Sequence, residues 1–131
     1  MAIWLDATLA GAILYRVVKH STIELDALYG ALSDPTRREM IARLRGGSLS
    51  ISDLGAPFGM TLAAIGKHVA ALESAGIVRT HKQGRVRRCA LVPRGLSPAA
   101  SWLAEQEQFW NERLDALEEH LALETHLEEN P

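Results

Sequence analysis

Between residues 61 and 75, apolar side chains recur at Leu62, Ile65, Val69 and Leu72, the three- and four-residue steps of one helical face. Thr61 precedes this run as an N-cap, and Gly76 follows where a left-handed residue ends a helix. Upstream, Ser50 caps a shorter helical stretch over 51–58 with Ile51, Leu54 and Phe58 inward, and Gly59 allows a tight turn. Downstream, two β-prone runs, 78–82 and 86–92, surround Gln83-Gly84-Arg85 and read as a hairpin. A short helix, a turn, a longer helix and a hairpin form the layout of a winged helix-turn-helix.

Two helices come before this unit. Residues 24–32 carry apolar side chains at Leu25, Leu28 and Leu32. Ser33-Asp34-Pro35-Thr36 is a stop and restart: Asp34 or Ser33 can cap the next helix, and Pro35 suits its first turn. Residues 36–45 then repeat apolar positions at Met40, Ile41 and Leu44, and Gly46-Gly47 ends them. The stretch 3–18 is fairly apolar but is interrupted by Asp6 and is too short for a membrane span. It lacks the charge and cleavage pattern of a signal peptide, so it reads as a helix packing on the domain or on a second subunit.

After a break over 93–98, residues 99–121 or beyond form a long helix. Leu103, Trp110, Leu114, Leu117 and Leu121 step by seven, four, three and four, with Trp102 and Phe109 as a second column. A spacing near 3.5 suits packing against a partner helix, with a helix folded back on its own core as the alternative. The expected fold is therefore mainly α with a small β-hairpin wing, a winged helix-turn-helix dimerising through terminal helices. Its parts are a helical extension over 1–23, a core domain over 24–95 and a dimerisation helix with an acidic tail over 96–131.

Charge changes this picture most. The 131 residues carry a net charge of −2, which suggests an ordinary acidic protein. Yet residues 34–95 hold eleven Lys and Arg against four acids, while residues 96–131 hold one Arg against nine. The basic middle is a candidate polyanion surface, and it coincides with the helix-turn-helix pattern. Cys89 is the one cysteine, so no intrachain disulfide can form and a reducing cytoplasm is expected. Cys89 reads either as a small packing residue or as a redox switch. The five histidines are scattered and no nucleophile–base pair or phosphate loop is evident, so no enzyme and no cofactor are expected.

Two segments bring a family into view. Ala31-Leu32-Ser33-Asp34-Pro35-Thr36-Arg37-Arg38 resembles the opening signature of the ArsR family of bacterial repressors. Lys67-His68-Val69-x-x-Leu72-x-x-Ala75-Gly76-Ile77-Val78 matches its second signature, and Gly84-Arg85 sits where that family turns its wing. The resemblance, over roughly 25–121, implies a dimeric repressor of double-stranded DNA. The family's metal sensors carry two cysteines in the stretch that here reads Leu49-Ser50-Ile51-Ser52-Asp53-Leu54, with serines in their place. A hydroxyl is a poor substitute for a thiolate, so no thiolate metal site is expected. His120, Glu124 and His126 are a weak second candidate, and no metal is assigned to them.

The DNA-contacting candidates are Thr61, Ala63, Ala64, Lys67 and His68 on the longer helix, Lys82, Gln83, Arg85 and Arg87 on the wing, and Arg37. Lys67 suits guanine O6/N7 or a phosphate, and the alanines allow close approach to a thymine methyl. Thr61 can serve as a cap alone, His68 can pack, and Arg37 or Arg38 can form an internal ion pair. The dimer candidates are Trp4, Trp102, Leu103, Phe109, Trp110, Leu114 and Leu117. No membrane partner is expected, and any small-molecule effector is open. An RNA-binding or protein-docking winged helix is the alternative function.

Overall fold

The computed structural model describes residues 22–129. Trp4, the stretch 3–18 and most of the N-terminal extension lie outside the described residues. The chain divides into two compact units, one ending at Pro98 and one beginning at Ala99.

In the first unit, helix α1 spans residues 22–32. Helix α2 is Pro35–Arg43 and begins at Asp34, whose carboxylate accepts the N–H groups of Thr36 at 2.8 Å and Arg37 at 3.2 Å. The pattern had carried this helix to residue 45. Instead its last turn tightens into a 3-10 turn, Leu44–Gly46, before Gly47 turns the chain at φ 126°. Leu28 and Ala31 of α1 bury against the same core as Met40 and Leu44.

Strand β1, Leu49–Ser50, leads straight into helix α3, Ile51–Gly55. The Ser50 hydroxyl caps α3 by accepting the Asp53 N–H at 3.0 Å. Expected as one helix over 51–58, this segment breaks at Gly55 into a 3-10 turn, Ala56–Phe58, with Pro57 within it. Gly59, at φ 61°, then reverses the chain. Helix α4, Leu62–Ser74, buries Ile65, Val69 and Leu72. Its end is a Schellman motif: Gly76 N–H donates to the Glu73 carbonyl and Ile77 N–H to the Leu72 carbonyl, both at 3.0 Å, with Gly76 at φ 78°.

Strands β2 (Val78–Gln83) and β3 (Val86–Leu91) pair antiparallel, and Gln83 opposes Val86. The loop is thus Gly84-Arg85, one residue shorter than expected, with Gly84 at φ 64°. The sheet has a third strand that the sequence pattern missed. β1 pairs β3 through Leu49 opposite Cys89 and Ser50 opposite Arg88, giving the order β1-β3-β2. Cys89, in the central strand, is completely buried. Burial pushes its thiol up to about 11, with the Glu73 carboxylate adding to the shift.

Helix α5, Ser97–Glu129, makes up the second unit from Ala99 onward and runs beyond the expected 99–121. Trp102, Leu103, Phe109, Trp110, Leu114, Leu117 and Leu121 are all exposed along it. Phe109 and Trp110 meet edge to face at 5.7 Å, and the Arg113 guanidinium lies 4.7 Å from the Phe109 ring centre. His120 Nε2 lies 3.2 Å from Glu124 Oε1, an exposed pair one turn apart. Among the described residues no helix is long and apolar enough to cross a membrane.

Candidate nucleic-acid interface

The interface candidates fall on α4, on the β2–β3 wing and at the start of α2. On α4, Thr61 is the N-cap: its hydroxyl accepts the Ala64 N–H at 3.2 Å. Thr61, Ala63 and Lys67 are exposed, and Ala64 is partly covered. Leu62 corrects the sequence reading. Expected in the inward column, it is 66% exposed. As the first residue of the helix it stands one turn ahead of Ile65, at the rim of an open groove where its side chain stays largely in water.

His68 points the other way. One turn of helix puts it beside Ile65 and Leu72, on the covered flank of α4. Its Nδ1 is buried without a hydrogen-bond partner and lies 4.0 Å from Asp34 Oδ2. Partial desolvation pushes the Asp34 carboxyl up. The N–H groups of Arg37 and Thr36, with the nearby His68 and Arg37, outweigh this and leave it below the usual carboxylate value.

The arginines at the start of α2 are similarly engaged. Arg37 Nε donates to the Ala31 carbonyl at 2.7 Å and its Nη2 to the Gly30 carbonyl at 3.0 Å. Arg38 Nη1 donates to the Leu32 carbonyl at 2.7 Å. Both guanidiniums satisfy carbonyls at the end of α1, where a helix leaves acceptors without intrahelical donors. Where the sequence left an internal ion pair open for either arginine, the guanidiniums make these carbonyl caps.

On the wing, Lys82, Gln83, Arg85 and Arg87 are exposed. Arg87 is also tied down, with Nη2 donating to Thr80 Oγ1 at 3.0 Å. Thr80 in turn donates twice to Glu73 Oε2, from its hydroxyl at 2.6 Å and its N–H at 3.1 Å. This relay fastens the wing to the last turn of α4. Sequence reasoning missed it because Glu73 and Thr80 lie on either side of the Gly76 turn and meet only after β2 folds back. Arg88, on the opposite face of β3, makes three bonds of 2.9–3.2 Å to the hydroxyl and carbonyl of Ser48.

The first turn of α4 and the wing tip come together. Ser50, Ile51, Ser52, Leu62, Arg85, Val86 and Arg87 line one open groove of about 380 Å³. Lys67 is exposed further along α4, and Arg85 and Arg87 bring cationic side chains to this groove. It is an open, positively charged surface beside a helix N-terminus, which suits a strand of phosphates.

Comparison with known proteins gives a consistent answer. Residues 32–81 match a family described as a helix-turn-helix domain. The chain is 27% identical over 79 residues to the transcriptional repressor SdpR of Bacillus subtilis, covering 60% of this chain and 88% of the relative. It is 30% identical over 89 residues to the HTH-type transcriptional regulator Rv2034 of Mycobacterium tuberculosis, covering 68% and 80%. A crystal structure of an ArsR family transcriptional regulator superposes with a TM-score of 0.65 at 43% identity, covering 69% of this chain and 93% of that one. The fold is also that of a homodimeric winged helix-turn-helix DNA-binding domain from Mycobacterium bovis, at 18% identity and a TM-score of 0.54, covering 67% and 83%.

Proposed function

This chain belongs to the ArsR family of helix-turn-helix transcription regulators, and on that premise we propose that it is a homodimeric repressor of a palindromic DNA operator. Each subunit lays α4 in a major groove and sets its wing on the flanking backbone. The two copies of α4 address half-sites about 34–36 Å apart. Lys67 reads a guanine edge or holds a phosphate, and Thr61 and Ala63 line the approach of the helix. Lys82, Gln83 and Arg85 hold the backbone beside the wing, with Arg87 shared between that role and Thr80. In this reading Arg37 and His68 are internal supports of α1 and α2, because their polar atoms are directed to Gly30, Ala31 and Asp34.

The observation that carries the proposal is the convergence of the α4 N-terminal turn and the cationic wing tip on one groove. The dimer is supported by the exposed aliphatic and aromatic column of α5, which suits a helix packed against its symmetry mate. The acidic charge of that helix keeps phosphates to the other unit. A DNA partner places the protein's action in the cytoplasm.

The test is fluorescence anisotropy on a duplex recovered by selection from random DNA, with a structured RNA hairpin as comparator. If about six phosphates are neutralised per dimer, affinity falls on the order of a thousandfold between 50 and 200 mM salt. A flat salt response, or equal affinity for the hairpin, would overturn the proposal.

A further inference from the structure

We propose that Leu62 is a base-reading residue that selects a thymine through its 5-methyl group. The inference rests on the duplex-DNA reading above and assigns a specificity role to a side chain that reading leaves unused. Leu62 opens α4 and is 66% exposed. The N-cap before it and the residue after it, Thr61 and Ala63, are both short, so the isobutyl group is the longest side chain of that turn. It shares its groove with Arg85 and Arg87 of the wing and with Val86, itself 47% exposed. The cations draw the backbone to this place, and the leucine presents an apolar tip to whichever base edge lies beneath the first turn.

In the major groove the apolar feature of an unmodified base pair is the thymine methyl, whereas the other edges are donors and acceptors. Leucine has neither a donor nor an acceptor. It gains by covering a methyl, and it would strip water from an adenine, guanine or cytosine edge while offering no partner in return. Attraction to one base and penalty against the other three both arise from the same side chain. The packing of the protein depends little on Leu62, since most of its surface is left in water.

The experiment replaces thymine with uracil, one position at a time, in the duplex selected by the full-length protein. This removes a single methyl and keeps every hydrogen-bonding group. At one position per half-site the substitution weakens binding about fourfold, and made in both half-sites about fifteenfold, the value of one covered methyl each. Leu62→Ala abolishes that difference at the same position, keeps the salt slope and leaves the thermal midpoint unchanged. If no uracil position loses its effect in Leu62→Ala, the leucine does not read thymine and the inference is overturned while duplex binding stands. If no duplex is enriched at all, the DNA-binding reading fails first, and this inference with it.

Discussion

Gly55 is where a single methyl group should disturb the helix-turn-helix most. It is the last residue of α3 and is buried. A Cβ built there falls 2.5 Å from Ile65 Cγ1 and 3.0 Å from Ile65 Cγ2, on the facing side of α4. Ile65 is 4% exposed and β-branched, so it has little freedom to rotate away. The backbone at Gly55, φ −88° and ψ −12°, is open to alanine. The substitution therefore gains up to about 1 kcal/mol from reduced chain entropy in the unfolded state. Overpacking opposes this with about 1–3 kcal/mol. Gly55→Ala should destabilise the protein by about 1–2 kcal/mol, a fall in thermal midpoint of about 4–16 °C for a domain of this size. Because Ile65 lies on α4, the helix we propose reads DNA, affinity for the selected duplex should fall as well. Differential scanning calorimetry of Gly55→Ala, Ile65→Val and the double variant tests the reasoning. Ile65→Val removes Cδ1, the atom closest to the added Cβ, and relieves part of the clash while Cγ1 and Cγ2 remain, so the double variant should be more stable than the sum of the single changes predicts. An unchanged midpoint in Gly55→Ala, or strict additivity, would refute the close approach of α3 and α4 at this glycine.

The remaining predictions concern the wing and its buried thiol. Glu73→Ala removes the one oxygen that accepts both Thr80 hydrogen bonds and should make the Thr80 amide exchange with solvent about fivefold faster, equivalent to about 1 kcal/mol; hydrogen exchange by NMR reads this directly, and an unchanged rate would mean that the Glu73–Thr80 contact does not order the wing. Cys89 should resist a thiol reagent at pH 8 in the native protein and react once unfolded. Its folded pKa is raised from 9.0 to about 11, so its contribution to stability is complete below pH 9 and lost as pH rises through 11. Urea melts should show wild type losing about 2–3 kcal/mol relative to Cys89→Ala across that window. A constant difference between the two proteins would contradict the burial argument.

The elements of the helix-turn-helix were legible in the sequence wherever their signals were local. The caps at Asp34, Ser50 and Thr61 and the turns at Gly59, Gly76 and Gly84 act over three or four residues, and a chain met for the first time displays them. The inward column of Ile65, Val69 and Leu72 is local in the same sense, since helical geometry alone aligns it. The segregation of basic and acidic charge is also a property of the string of residues, and it indicated the class of partner before any fold was considered.

What needed tertiary structure is whatever depends on a neighbour distant in sequence. Strand β1 is two residues long and exists because β3, some forty positions later, supplies its hydrogen bonds. The three bonds of Arg88 to Ser48 span the same gap, and nothing near either residue announces them. Arg37 and Lys67 are both cations in family-like segments; the fold turns one onto the carbonyls of α1 and leaves the other exposed. Leu62 keeps perfect step with the buried column, yet it is largely exposed where Ile65 is buried. Periodicity fixes the direction in which a side chain points. Whether anything closes over it depends on neighbours distant in sequence, and that is a property of the assembled domain.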